Sequence, residues 1–200
     1  MARTLDHLGS IAQQQGDRAK ARAFYERSIT SWEGSSQPND PDIAYPLSHF
    51  GKLLQEEGEL KEAVRLYERA LALRRKALGD RHPAVGESWL DLARGRVALH
   101  DLRGALDAAR TGVDISRSTL PPDHSQLAGG LFLLGDVLRR HNRPEDALPY
   151  LEEAHAIWRK KPPINPRDLA DLETAIATTR AQLREGLPSQ GSPQSEVSRR

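Results

Sequence analysis

Asp80, Arg81 and His82 stand side by side before Pro83, within a stretch that reads ALGDRHPAVGESWLDLA over residues 77–93. An acid, a guanidinium and an imidazole in a loop flanked by Gly and Pro have the residue types of a catalytic loop. They also suit the punctuation between two helices. Seven histidines raise a second possibility, metal binding. His7 and His49 sit 42 residues apart, but two ligands do not make a zinc site, and only Asp91 continues that series as a further ligand. The chain carries no His-Glu-x-x-His, no Gly-x-Ser-x-Gly and no phosphate-binding loop. The glycine-containing stretch GGLFLLGD at 129–136 lacks the Lys and the Ser or Thr that a phosphate cradle needs. Two basic triplets, 74–76 and 159–161, invite a nucleic-acid reading. Positive charge at the end of a helix is, however, what the helix dipole favours.

Composition narrows the field further. With no cysteine there is no disulfide, no thiolate nucleophile and no thiolate metal site. A net charge of +1 produces no global field that would draw nucleic acid or an anionic membrane. No apolar run approaches the roughly 18 residues of a membrane span. The N-terminal MARTLDHLGSIAQQQ lacks the apolar core of a signal peptide. The expectation is a cytoplasmic protein without enzymatic activity, cofactor or metal.

The elements that position these residues follow from an internal repeat. Gly9, Gly51, Ala93 and Gly135 recur every 42 residues, each preceded by a large apolar residue: Leu8, Phe50, Leu92 and Leu134. Ala21, Ala63, Ala105 and Ala147 are identical in all four copies, and Tyr25, Tyr67, Ala109 and Leu151 follow them. Each copy reads as two helices. In the second copy Leu47, Phe50, Gly51 and Leu54 share one helix face, Gly58 interrupts, and Leu60, Ala63, Val64, Tyr67, Ala70 and Leu71 share the next. The interrupting position is Gly16, Gly58, His100 and Asn142, residue types that tolerate left-handed backbone. Asp17, Glu59 and Asp101 follow as helix-starting acids, and Pro144 opens the fourth second helix. Small residues at the identical alanines let the paired helices approach. Neither helix buries its stripe alone, so neighbouring copies must stack.

These residues resemble the tetratricopeptide repeat family: Leu47, Phe50-Gly51, Ala63, Tyr67 and Ala70 in the second copy, and Leu131, Leu134-Gly135, Ala147, Leu151 and Ala154 in the fourth. The 42-residue period and the LGDRHP connector at 78–83 are similar to the kinesin-light-chain-like subgroup. The resemblance implies an all-α fold, a right-handed α-solenoid of antiparallel helix pairs. The expected repeats are about 2–40, 41–82, 83–124 and 125–165, with a capping helix at 166–185 and a disordered tail at 186–200. The third repeat is expected to be the weakest, because Ala109 and Gly112 replace larger residues and Gly95 and Gly104 lie inside helices. Pro149 is expected to remove one hydrogen bond from its helix and bend it. At the position where kinesin light chains often carry a peptide-gripping Asn, this chain has His7, His49, Asp91 and Leu133.

In such a solenoid the first helices line a concave groove. The positions expected to point into it are Tyr45, Ser48, Lys52 and Gln55; then Glu87, Leu90, Asp91, Arg94 and Val97; then Phe132, Leu133, Asp136, Arg139 and Arg140. Asp6, Ser10 and Gln13 of the first repeat add polar groups. The binding residues singled out are Tyr45, Lys52, Leu90, Arg94, Phe132, Asp136, Arg139 and Arg140. Apolar platforms (Tyr45, Leu90, Phe132) among arginines fit a protein or peptide segment with an apolar anchor and acidic flanks. The Lys and Asn of a clamp for C-terminal carboxylates are not matched. Two further functions are consistent with the pattern. One is a regulatory segment of a larger bacterial signalling protein, associated with a kinase or a protease. The other is a self-associating scaffold using an N-terminal edge that begins at a repeat boundary.

Overall fold

The computed structural model describes residues 1–35, 40–162 and 165–186 of the chain. Of the tail expected at 186–200, Gly186 ends the last helix and residues 187–200 lie outside the described residues, as do the connector residues Pro38 and Asn39. Among the described residues there are nine α-helices and no strand: α1 Ala2–Gln14, α2 Arg18–Glu33, α3 Ala44–Glu56, α4 Leu60–Leu78, α5 Pro83–Ala98, α6 Leu102–Thr119, α7 Ser125–Arg140, α8 Pro144–Lys160 and α9 Pro166–Gly186. A short 3-10 turn, Pro41–Ile43, leads into α3. Consecutive helices pack as pairs, and each pair stacks on the next. The result is an all-α solenoid in which α9 covers the last pair.

One backbone motif closes every pair. Gly16, Gly58, His100 and Asn142 adopt φ of 79°, 84°, 61° and 56°. The residue after each, Asp17, Glu59, Asp101 and Arg143, donates its N–H to a carbonyl five residues back, at 2.8–3.0 Å. This is the Schellman arrangement, which satisfies carbonyls that the helix end leaves free. Asp17 and Asp101 then cap the following helix, accepting from Lys20 N and Gly104 N. Glu59 and Arg143 make no side-chain cap.

The small–large pairing between paired helices is steric. A methyl carbon placed on Gly9 would lie 2.5 Å from Tyr25 Cε1, and one on Gly51 would lie 2.7 Å from Tyr67 Cε1. On Gly135 it would lie 2.5 Å from Leu151 Cδ2. In the third pair the large residue is replaced by Ala109, and the glycine by Ala93. Both alanines are fully buried.

Two of the glycines that mark the third repeat are filled by side chains of neighbouring helices rather than left as voids. Gly95 receives the Tyr67 ring, whose atoms would lie 2.9 Å from a methyl there. Gly112 receives Leu90, at 2.7 Å from a methyl there. Pro149 lies inside α8, which continues through it from Pro144 to Lys160. Two apolar clusters run along the stack, and Trp89 packs against both.

Candidate functional site

The loop at 80–82 is a helix start. His82 Nδ1 accepts the Ala84 N–H at 3.2 Å, and His124 Nδ1 accepts the Gln126 N–H at 3.1 Å. Asp40 accepts from Asp42 N at 2.8 Å, and Asn165 from Arg167 N at 3.1 Å. One residue in each connector therefore caps the turn that opens the next first helix, which for Asp40 is the 3-10 turn leading into α3. Asp80 turns away from His82 to pair with Arg75 Nε at 2.6 Å. The two residues that would have to cooperate in acid–base work are engaged elsewhere.

His49 meets Asp6 rather than His7: its Nδ1 lies 2.8 Å from Asp6 Oδ1. Asp6 is 5% exposed, a correction to its expected place on the groove surface. The reason is that α3 lies against that face of α1 and His49 supplies a partner for the carboxylate. Among the described residues no group of three or more His, Cys, Asp or Glu is arranged to hold a metal ion.

Along the concave side, α3, α5, α7 and α9 line three adjoining cavities that share Arg94. The first, ≈ 380 Å³, holds Tyr45, Ser48, Lys52, Gln55, Glu87 and Asp91. The second, ≈ 380 Å³, lies between Asp91, Gln126, Gly129, Trp158 and Asp168. The third, ≈ 580 Å³, is walled by Val97, Phe132, Leu133, Asp136, Arg140, Trp158 and Asp171. Tyr45, Lys52, Arg94, Phe132, Asp136 and Arg140 thus share one continuous groove.

Two of the expected groove residues are placed differently. Leu90 is 1% exposed. It turns between α6 and α7, where the absence of side chains at Gly112 and Gly130 makes room for it. It is core, with only an edge reaching the second cavity. Arg139 is half-buried and folds back onto Asp136 at 2.5 Å. Asp136 also accepts from Arg140 Nε at 2.7 Å, and Asp91 accepts from Arg94 at 2.9 Å. The groove arginines are therefore already matched to acids one helical turn away. Burial pushes the Asp91 carboxyl up from the ordinary carboxylate range, with Glu87 adding to the rise and Arg94 and Arg74 opposing it.

The sequence reading missed a series on the second helices. Trp32, Arg74, Ser116 and Trp158 are separated by the same 42 residues and sit near the ends of α2, α4, α6 and α8. Trp32, Arg74 and Trp158 all line cavities. Arg74 is 2% exposed; its guanidinium donates to Ala84 O, Glu87 and Ser88 Oγ, each at 3.0 Å. It also lies 4.6 Å from the Tyr45 ring centroid. Trp158 meets Phe132 edge-on, with ring centroids 5.9 Å apart. The 42-residue spacing of two rare tryptophans and an arginine was the available signal.

Stacked helix pairs with a groove formed by their first helices define a helical-repeat protein. The chain belongs to the tetratricopeptide repeat (TPR) family: the family's model matches residues 1–76 and 42–118, and a second model of the same repeat matches 133–161. Its fold is similar to the nearly identical TPR-like repeats of a Podosopora anserina protein described as a kinesin light chain (TM-score 0.75, 21% identity, 92% of this chain and 87% of that one). It is also similar to BtubC (BKLC) from P. vanneervenii (TM-score 0.78, 19% identity, 90% and 72%). The apo form of RapI is a third neighbour (TM-score 0.71, 13% identity, 92% and 52%). No curated protein sequence matches the chain. Among the described residues no helix is long and apolar enough to cross a membrane.

Proposed function

We propose that this chain is a non-enzymatic, cytoplasmic interaction module that binds a peptide or partner segment along the concave groove. The observation that carries this reading is the continuity of the three cavities around Arg94, with Tyr45 and Lys52 at one end and Phe132 and Trp158 at the other. An extended segment presents alternating side chains and free main-chain groups, which suits a long groove with apolar and polar stations. An apolar anchor fits the Phe132–Trp158 end. An acidic flank fits the Lys52 end, since Lys52 is exposed and has no acidic partner among the described residues.

The absence of cysteine makes a clean test possible. Single cysteines are placed in the groove at Lys52 or Arg140, and on exposed faces of second helices at Arg65 or Arg110. A partner isolated by pull-down should protect the groove cysteines from a bulky maleimide and leave the others reactive. Protection confined to Arg65 and Arg110 would move the interface elsewhere.

A second reading, self-association, is favoured by the apolar edge on α1, where Leu8 is 40% exposed and Ile11 50%. A mass that stays monomeric from micromolar to millimolar concentration would exclude it.

A further inference from the structure

We infer that the α9 end of the groove selects a segment carrying a lysine or arginine close to an apolar side chain. The cationic group lies at Asp168 and Asp171, and the apolar one against Phe132 and Trp158. This inference rests on the peptide-groove reading above and adds the chemistry of the ligand.

Three observations carry it. First, the charges on offer there are negative. Arg94 is committed to Asp91, and both Arg139 and Arg140 to Asp136. Asp171 has no hydrogen-bond or ion-pair partner among the described residues. Asp168 has only a long contact from Asn165 Nδ2, at 3.4 Å. The two carboxylates stand three residues apart on one face of α9 and line the same cavity. The Asp136–Arg139–Arg140 group keeps one net positive charge, but the two uncommitted carboxylates outweigh it, and a cationic group completes them without displacing a pair.

Second, Trp158 is 4% exposed, lines both cavities at this end, and its indole N–H has no acceptor. A buried donor of this kind is costly unless matched, and an extended segment brings a carbonyl at every residue. Third, the groove floor beside it is open. A methyl carbon on Gly129 would meet nothing nearer than Trp158 Cζ2 at 3.9 Å and Arg94 Nη2 at 4.0 Å. That space, continuous with a cavity of ≈ 580 Å³, accommodates an apolar side chain next to the indole face.

The test is selection of eight-residue random peptides displayed on phage against the immobilised full chain, followed by affinity measurements on synthetic winners. The inference predicts enrichment of Lys or Arg within three residues of an apolar residue. Asp168→Asn/Asp171→Asn should weaken the winners roughly tenfold, with the difference shrinking as salt rises. Trp158→Phe, which keeps the apolar wall and removes the donor, should weaken them several-fold. In wild-type protein the indole N–H resonance absent from the Trp158→Phe spectrum should shift on binding. Winners that compete in the groove but are acidic, or that bind the double Asn variant as tightly, overturn the inference while leaving the groove reading intact. Winners unaffected by Gly129→Met, which fills the groove floor without changing its charge, or no winners, overturn both.

Discussion

Gly135 and Gly129 lie six residues apart on α7, and the packing predicts opposite effects of the same substitution. In a helix, Gly→Ala alone is worth about 1 kcal/mol of stabilisation. At Gly129 the new methyl sits at ordinary van der Waals distance from its neighbours, so that gain is retained and stability rises by roughly 0.5–1 kcal/mol. At Gly135 the methyl would lie 2.5 Å from Leu151 Cδ2 and 2.6 Å from its Cγ, with Ala147 O at 3.3 Å behind. Carbon pairs prefer about 3.5–4.0 Å, so Leu151 must retreat by about 1 Å. It is fully buried. Overpacking of this kind costs about 1–3 kcal/mol, which exceeds the helix gain. Gly135→Ala should therefore lower stability by about 1 kcal/mol. The third pair shows the compensation, because Ala93 there faces Ala109. Gly135→Ala/Leu151→Ala should consequently lose 1–2 kcal/mol less than the two single losses added together. Urea titration followed by helical circular dichroism measures all four variants, with equal slopes confirming that the same unit unfolds. If Gly135→Ala is as stable as wild type, or Gly129→Ala is less stable, the close approach of α7 and α8 is not what holds this pair together.

Other expectations follow from the same contacts. His82→Ala and His124→Ala should each cost about 1 kcal/mol through loss of an N-cap, and His→Asn at either site should restore most of it, measured by thermal unfolding. Arg74→Ala should cost roughly 2–4 kcal/mol, because Ser88 and the Ala84 carbonyl lose their partner in the interior; Arg74→Met, which keeps the stem volume, should cost less. Asp91→Asn should stabilise the protein at pH 7. Since the folded carboxyl titrates above its unfolded value, the native state is penalised as pH rises past the unfolded value near about 4, and the advantage of Asn should vanish below it.

Much of this architecture was legible because a 42-residue period repeats the same steric problem four times. The left-handed turns at Gly16, Gly58, His100 and Asn142 follow from residue type alone. The matching of Gly9 to Tyr25 and of Gly135 to Leu151 does not, because the pattern supplies a small and a large residue in each copy while the packing of the pair decides which faces which. The first-helix positions Tyr45, Arg94 and Phe132 come from the resemblance to the repeat family, which supplies the side that helical spacing alone does not, and all three line cavities. Leu90 was not legible as core, because its burial depends on glycines in two other helices that the local pattern does not weigh. Trp158 and Arg74 were missed because they belong to second helices, whose ends reach the concave side only once the pairs are stacked. Pairing of Asp136 with Arg139 and Arg140 depends on rotamers, and it changes what the groove offers a ligand.

The central claim is that the concave groove is the interaction surface, and Arg94 is its common wall. Gly129 lies beside Arg94 in two of the three cavities, and a side chain added there enters open space. The affinity of a captured partner for Gly129→Met, which fills the groove without changing its charge, measured alongside thermal unfolding, tests the claim most directly. The groove account predicts at least a tenfold loss of affinity with stability not reduced; equal affinity for the variant and the wild type would contradict it.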